Sequence, residues 1–204
     1  MSIILVRHGE TLLNAARAFQ PFNTELGPRG LEQARLAAYR IAEYAPAAIL
    51  ASDMPRAYRT AQSIAEQTGL ALSTSPLLHE RNFGDWRGQS HASIGEDPNT
   101  FVGTPPGGES NEAFRQRVLE AFDLAVSLRA TLDGPLVVVS HGLVIQTILQ
   151  HCVALGLLTM PQRVANTSVT VLSANMPFSV SELNCTRHLD GSEVSEDPKS
   201  LSGG

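Results

Sequence analysis

The amino-acid sequence predicts an α/β fold: a three-layer α/β/α sandwich around a mostly parallel central sheet. Three observations lead there. Short all-apolar runs at residues 3–6, 48–51 and 136–139 read as strands covered on both faces, and such strands need helices above and below them. Segments with helical spacing of apolar residues alternate with those runs, as in a chain of βα units. With 43% hydrophobic residues among 204, the chain can bury one sizeable core, and no break in composition divides it. One domain is expected over residues 1–190, followed at 191–204 by a polar tail expected to be disordered.

In chain order, the strand at 3–6 stops at Arg7-His8-Gly9, where a loop begins. Past Pro28 and Gly30, the residues Leu31, Ala34, Ala38, Ile41 and Ala42 recur as on an amphipathic helix, and the pattern closes before Pro46. After the strand at 48–51, Pro55 sits where a helix can start without its missing N–H, and this helix runs to Thr68-Gly69. A third strand is predicted at 70–73. Periodicity fails over 77–108, where nine Gly and Pro residues fall, so a long loop with one short helix is expected. Ser110 caps a helix whose apolar face is Phe114, Val118, Ala121, Phe122, Ala125, Leu128 and Leu132. A strand at 136–139, a helix over 143–155 and strand-like runs at 168–172 and 178–183 complete the pattern.

Composition argues against several functions. A formal net charge of −5 without a basic stripe speaks against nucleic acid as a partner. The longest apolar stretch, 136–158, is broken by Ser140, His141, Gln146, Gln150 and His151, so no membrane partner is expected. The opening apolar run is too short for a signal peptide, and the expected location is the cytoplasm. Cys152 and Cys185 read as reduced core thiols, the six histidines lack close ligand spacing, and neither metal nor cofactor is expected. Lys199 is the only lysine, so arginine, which forks onto phosphate or carboxylate, carries nearly all the positive charge.

Three motifs carry chemistry. Arg7-His8-Gly9-Glu10-Thr11 projects a guanidinium and an imidazole from the end of the first strand. Ser140-His141-Gly142 repeats the arrangement at another strand end, where the helix that follows Gly142 offers free N–H groups and a positive dipole end to an anion. Ser52-Asp53-Met54-Pro55-Arg56-Ala57 brings Arg56 to the first turn of a helix. Ligands of open α/β sheets bind beyond the carboxyl ends of strands, and all three motifs sit on that rim. Alone, each has an ordinary reading: a solvated turn, a structural histidine, an exposed arginine. Together they suit a phosphate.

R-H-G-E-T, S-x-x-x-R-A, E-x-x-x-G-x-W-x-G, G-G-E-S and S-H-G occur in that order. In these motifs, over residues 3–189, the chain resembles the histidine phosphatase superfamily, also called phosphoglycerate mutase-like. The resemblance implies that His8 is the nucleophile and that Arg7, Arg56 and His141 bind the transferring phosphoryl group. It also implies that Asn14 fills a further phosphate-pocket position and that Glu80 is the general acid, with Glu109 as another loop carboxylate. The implied chemistry needs a neutral His8 before attack, and fixed arginines with a charged His141 around the transition state. Homodimers are common among members.

The resemblance leaves open hydrolysis of a small phosphorylated metabolite, a cofactor-dependent phosphoglycerate mutase, and a binding domain without turnover. The residues from Gln89 to Phe114 include no Lys or Arg, which favours the phosphatase, whereas Arg81 beside Glu80 keeps the mutase in view. All matched catalytic positions are filled, which disfavours a binding domain. Phe19, Phe22, Phe83 and Trp86, with Arg81, either line the substrate mouth or join the core, and the sequence does not choose.

Overall fold

A computed structural model describes residues 2–195. The strands β1 (Ser2–Arg7), β2 (Ala48–Ala51), β3 (Leu72–Thr74), β4 (Leu136–Ser140), β5 (Val169–Ser173) and β6 (Val180–Cys185) form one sheet in the order β3-β2-β4-β1-β5-β6. β1 to β4 run parallel to one another, β5 is antiparallel to β1, and β6 is antiparallel to β5.

The sheet is apolar on both faces because both are covered. Ile3 and Leu5 of β1 and Leu136 and Val138 of β4 face α5 (Asn111–Ala130) and α6 (Gly142–His151), meeting Phe114, Val118, Val144 and Ile148. The alternate residues Ile4, Val6, Val137 and Val139 face α2 (Pro28–Ala42) and α3 (Pro55–Thr68), meeting Ala38, Ile41, Ala57 and Ile64. This period-two split gives the three layers that the sequence predicts. Local signals set the helix ends. Proline occupies the first turns of α2 and α3, Gly69 closes α3 at a left-handed φ of 71°, and Ser110 Oγ accepts the Ala113 N–H at 3.1 Å to cap α5.

Several boundaries differ from expectation. β3 starts at Leu72 and β6 at Val180, each two residues later than predicted. α6 stops at His151 rather than at 155, because the Ala154 N–H donates to Phe178 O at 2.8 Å and Ala154 pairs with Ser179. The long loop is more ordered than its composition suggests. It holds two 3₁₀ turns (Pro76–Leu78 and Gly84–Trp86) and α4 (His91–Ile94), and it pairs with residues 17–19 through His91 N–H to Arg17 O and Phe19 N–H to Gln89 O, both 2.9 Å. The tail is corrected at its start: Val194 is buried, and Arg29 donates to Glu193 O and Ser195 O, so packing continues through Ser195. Residues 196–204 lie outside the described part. Cys152 and Cys185 are free and half-buried, and among the described residues no helix is long and apolar enough to cross a membrane.

Candidate active site

Strand register assembles the site. Arg7 lies opposite Ser140 in the β1–β4 ladder and Ala51 opposite Val139 in the β2–β4 ladder. The residues that leave the three strand ends, His8, His141 and Ser52, are therefore neighbours. Backbone bonds continue the ladders, with His8 N–H donating to Ser140 O and Ser52 N–H to Val139 O, both 3.0 Å. The imidazoles of His8 and His141 meet edge-on with centroids 5.2 Å apart, and both are fully buried.

His8 has a defined tautomer. Its Nδ1 lies 2.7 Å from Gly9 O, and a carbonyl can only accept, so Nδ1 carries the hydrogen and Nε2 keeps its lone pair. Burial, reinforced by the charges on Arg56 and Arg7, holds its pKa well below the ordinary histidine value. A neutral imidazole with a free Nε2 is thus the resting state. The loop behind it is fixed by close backbone approach: the Gly9 N–H donates to Thr60 Oγ1, and a Cβ on Gly30 would lie 2.0 Å from Glu10 O. His8 O itself accepts from Asn166 Nδ2 at 3.0 Å.

His141 places Nε2 2.9 Å from Ser52 Oγ, and among the described residues its buried Nδ1 has no hydrogen-bond partner. Ser52 Oγ also accepts the Met54 N–H at 3.3 Å and, with one hydrogen and two lone pairs, can serve His141 Nε2 in either tautomer. Burial, with Arg56 next, holds this pKa well below the usual value too. The positive charge expected on His141 around the transition state therefore calls for a compensating anion beside it. A phosphoryl dianion would supply that compensation.

Arg7 and Arg56 are both buried. Arg7 Nη1 donates to Val164 O at 2.7 Å, and Arg56 Nη1 lies 3.3 Å from Pro21 O. Burial lowers the Arg56 pKa to about 10, which still leaves it charged at neutral pH. Glu80 is buried as well, its carboxylate accepting the Arg81 N–H at 2.9 Å and the Leu143 N–H of α6 at 3.1 Å. Desolvation nevertheless outweighs these bonds and the charges on Arg56 and Arg7, and pushes the carboxyl pKa up. Glu109 differs in kind. It forms a two-pronged ion pair with Arg117 at 2.9 and 2.7 Å, so the geometry favours Glu80 as the carboxyl able to hold a proton.

Beyond Arg56 and Glu80 opens a cleft of about 480 Å³ lined by Gln20, Phe22, His79, Arg81, Arg87 and Arg117 among others. Phe22 is exposed there, and His79 packs edge-on against it while holding Asp53 at 2.5 Å. Phe19 and Phe83 are corrected from mouth to core: they are 0% and 1% exposed and pack with Trp86, itself half-buried and not on the cleft. The Arg81 guanidinium turns to the carbonyls of Phe101, Gly103 and Glu109. Asn14 caps its own short helix α1 (Leu12–Ala15), its Oδ1 accepting the Thr11 N–H, and does not line the cleft. Gly142 opens α6, whose Leu143 N–H is already taken by Glu80. Sequence reasoning overlooked Gln20, which is 4% exposed. Its Oε1 accepts from Thr11 Oγ1 at 2.9 Å, so its Nε2, without a partner among the described residues, is left for a ligand. Among the described residues no group of three or more His, Cys, Asp or Glu is placed to hold a metal ion.

Residues 3–183 match the family model of the histidine phosphatase superfamily (branch 1). The glucosyl-3-phosphoglycerate phosphatase of Mycobacterium tuberculosis is 36% identical over 155 residues, 69% of this chain and 70% of that protein. A probable phosphoglycerate mutase of Erwinia tasmaniensis is 33% identical over 153 residues, 70% of each chain. The structure of mycobacterial glucosyl-3-phosphoglycerate phosphatase in complex with VO3 is similar at a TM-score of 0.77 and 28% identity, over 90% of this chain and 99% of that one. With nearly all of the packed chain inside the family match, this protein belongs to the histidine phosphatase superfamily.

Proposed function

We propose that the protein hydrolyses small phosphate monoesters through a phosphohistidine on His8. The observation that carries this reading is the neutral His8 with its proton fixed on Nδ1 by Gly9 O and its Nε2 lone pair free, on a rim with two buried arginines. A neutral nitrogen attacks a phosphate dianion without like-charge repulsion.

In the first half-reaction Nε2 forms a bond to phosphorus while the bond from phosphorus to the alcohol oxygen breaks. Arg7, Arg56 and His141 take the charge that develops on the equatorial oxygens. Glu80, whose burial favours the protonated form, gives its proton to the leaving oxygen. In the second, the Glu80 carboxylate takes a proton from water, the water oxygen bonds to phosphorus, and the N–P bond breaks. This restores neutral His8 and protonated Glu80 and releases phosphate.

Hydrolysis is favoured over mutase chemistry because a mutase must hold a doubly phosphorylated intermediate while it turns. The Arg81 donors are used on three backbone carbonyls and those of Arg117 on Glu109, Leu77 O and His79 O. Small phosphorylated metabolites are kept in the cytoplasm, the location we expect.

Phosphate release from a panel of monophosphates in EDTA tests the reading, run beside 3-phosphoglycerate with and without 2,3-bisphosphoglycerate. Steady release that disappears in His8→Ala is expected. Interconversion of phosphoglycerates with little release overturns hydrolysis in favour of a mutase, and silence with every substrate overturns both.

A further inference from the structure

The tautomer of His8 depends on which way one peptide faces. Gly9 O, the acceptor for His8 Nδ1, belongs to the peptide that joins Gly9 to Glu10. The peptide before it is pinned on both sides. His8 O accepts from Asn166 Nδ2 at 3.0 Å and from the Thr167 N–H at 3.3 Å, and the Gly9 N–H donates to Thr60 Oγ1 at 3.1 Å. The peptide joining Gly9 to Glu10 is held from α2, where the Glu10 N–H donates to Gln33 Oε1 at 2.9 Å. Gln33 is 1% exposed, and the other end of its amide, Nε2, donates to Val194 O at 3.3 Å. A carbonyl can only accept and an N–H can only donate, so Val194 O decides which end of the amide faces Glu10. Arg29 holds the stretch that brings Val194 there, donating to Glu193 O at 3.1 Å and Ser195 O at 2.8 Å.

From this we infer that Gln33 is a positioning residue for the nucleophile: backed by Val194 O, it fixes this peptide so that Gly9 O keeps the proton on His8 Nδ1 and leaves Nε2 for phosphorus. The inference deepens the phosphohistidine reading above and rests on it. The close packing of Gly30 on Glu10 limits where the peptide lies, whereas a hydrogen bond along its N–H also fixes its direction. Without Gln33 the peptide can turn and Gly9 O leaves Nδ1. The buried imidazole can then carry its hydrogen on Nε2, which blocks attack. Arg7 and Arg56 reach the phosphoryl position from β1 and α3, so phosphate binding does not pass through Gln33.

The test reads the tautomer and the rate together. Gln33→Met keeps an unbranched side chain of similar size and removes both ends of the amide, whereas Gln33→Glu keeps an oxygen for the Glu10 N–H. Histidine labelled with nitrogen-15 reports the tautomer by NMR, the His8 signals being those lost in His8→Ala. The wild type should show a protonated Nδ1 and a lone pair on Nε2. In Gln33→Met both nitrogens should move toward the average of the two tautomers. Its kcat/KM for p-nitrophenyl phosphate should fall by about tenfold, the scale of one hydrogen bond, with inhibition by inorganic phosphate unchanged. Gln33→Glu should recover the wild-type signals and most of the rate. Ile41→Val, in the core of the same helix, should lower the unfolding midpoint and move neither readout. If Gln33→Met does not fold, Gln33→Asn, shorter by one methylene, should show the same averaging. Wild-type His8 signals in a folded Gln33→Met or Gln33→Asn overturn the role of Gln33 whatever the rate, and averaged signals with an unchanged rate overturn it too. Failure of the wild type to hydrolyse p-nitrophenyl phosphate overturns the phosphatase reading, while the tautomer measurement, which needs no turnover, still decides on Gln33.

Discussion

Glu80→Gln changes one oxygen of a buried carboxyl that two backbone N–H groups hold, Arg81 at 2.9 Å and Leu143 at 3.1 Å. The amide keeps one acceptor and turns an NH2 toward the other N–H, so one buried donor loses its partner at about 1–3 kcal/mol. The substitution also removes a carboxyl whose raised pKa shows that burying its charge is costly, and this offsets part of that loss. The fold should therefore survive with a modest change in stability. Its rates should separate by leaving group. An alkoxide needs the proton that Glu80 supplies, and general acid catalysis is worth roughly 10²–10⁴, so turnover of glycerol 3-phosphate should fall by that factor. An aryl oxide departs unaided, so the first half-reaction with p-nitrophenyl phosphate should slow by less than about tenfold. Water attack on the phosphohistidine still lacks its base. Rapid mixing with p-nitrophenyl phosphate should consequently show a burst near one equivalent of p-nitrophenol per site, followed by a slow steady phase. Equal losses on both substrates with no burst would refute the assignment. So would a larger leaving-group dependence in Glu109→Gln.

Two other predictions follow from the same geometry. The kcat/KM profile should be bell-shaped: activity is lost as pH falls through the depressed His8 pKa, because the nucleophile protonates, and lost as pH rises through the elevated Glu80 pKa, because the acid is gone. In Glu80→Gln the alkaline limb should disappear for p-nitrophenyl phosphate bursts, and its persistence would point to another group. Gly30→Ala should lower both the unfolding midpoint and kcat, since its Cβ would press on the backbone of Glu10, two residues from His8. Overpacking of this kind costs about 1–3 kcal/mol, whereas Gly95→Ala, with nothing within 4 Å but a φ of 79°, should cost about 1–2 kcal/mol and leave kcat unchanged. Equal effects of the two on kcat would remove the Gly30 contact from the account.

What the sequence could reveal depended on whether the deciding partner was local. The starts of α2, α3 and α5 are set by Pro28, Pro55 and Ser110 within one turn, and they were legible. The pairing of His8 with His141 was legible too, because both follow apolar runs that end a strand and the two strands are neighbours. The end of α6 was not, since Val153, Ala154 and Leu155 continue an apolar pattern and only the distant Phe178 and Ser179 draw the chain away. Phe19 and Phe22 look alike in sequence, yet Phe19 meets Phe83, Trp86 and His91 from the long loop while Phe22 meets only the rim of the cleft. What sets Glu109 apart from Glu80 is its ion pair with Arg117, what bears on the charge of His141 is its burial, and neither can be read locally. Gln20 was invisible because its role lies in which end of its amide Thr11 occupies.

The central claim is that the phosphoryl group passes through His8. The most direct measurement is to mix the enzyme with p-nitrophenyl phosphate, quench in alkali within milliseconds, and map phosphorylated peptides by mass spectrometry, with Glu80→Gln used to accumulate the intermediate. The account predicts phosphate on His8 during turnover and on no residue in His8→Ala. Steady turnover with no phosphohistidine, or with the phosphate on His141, would contradict it.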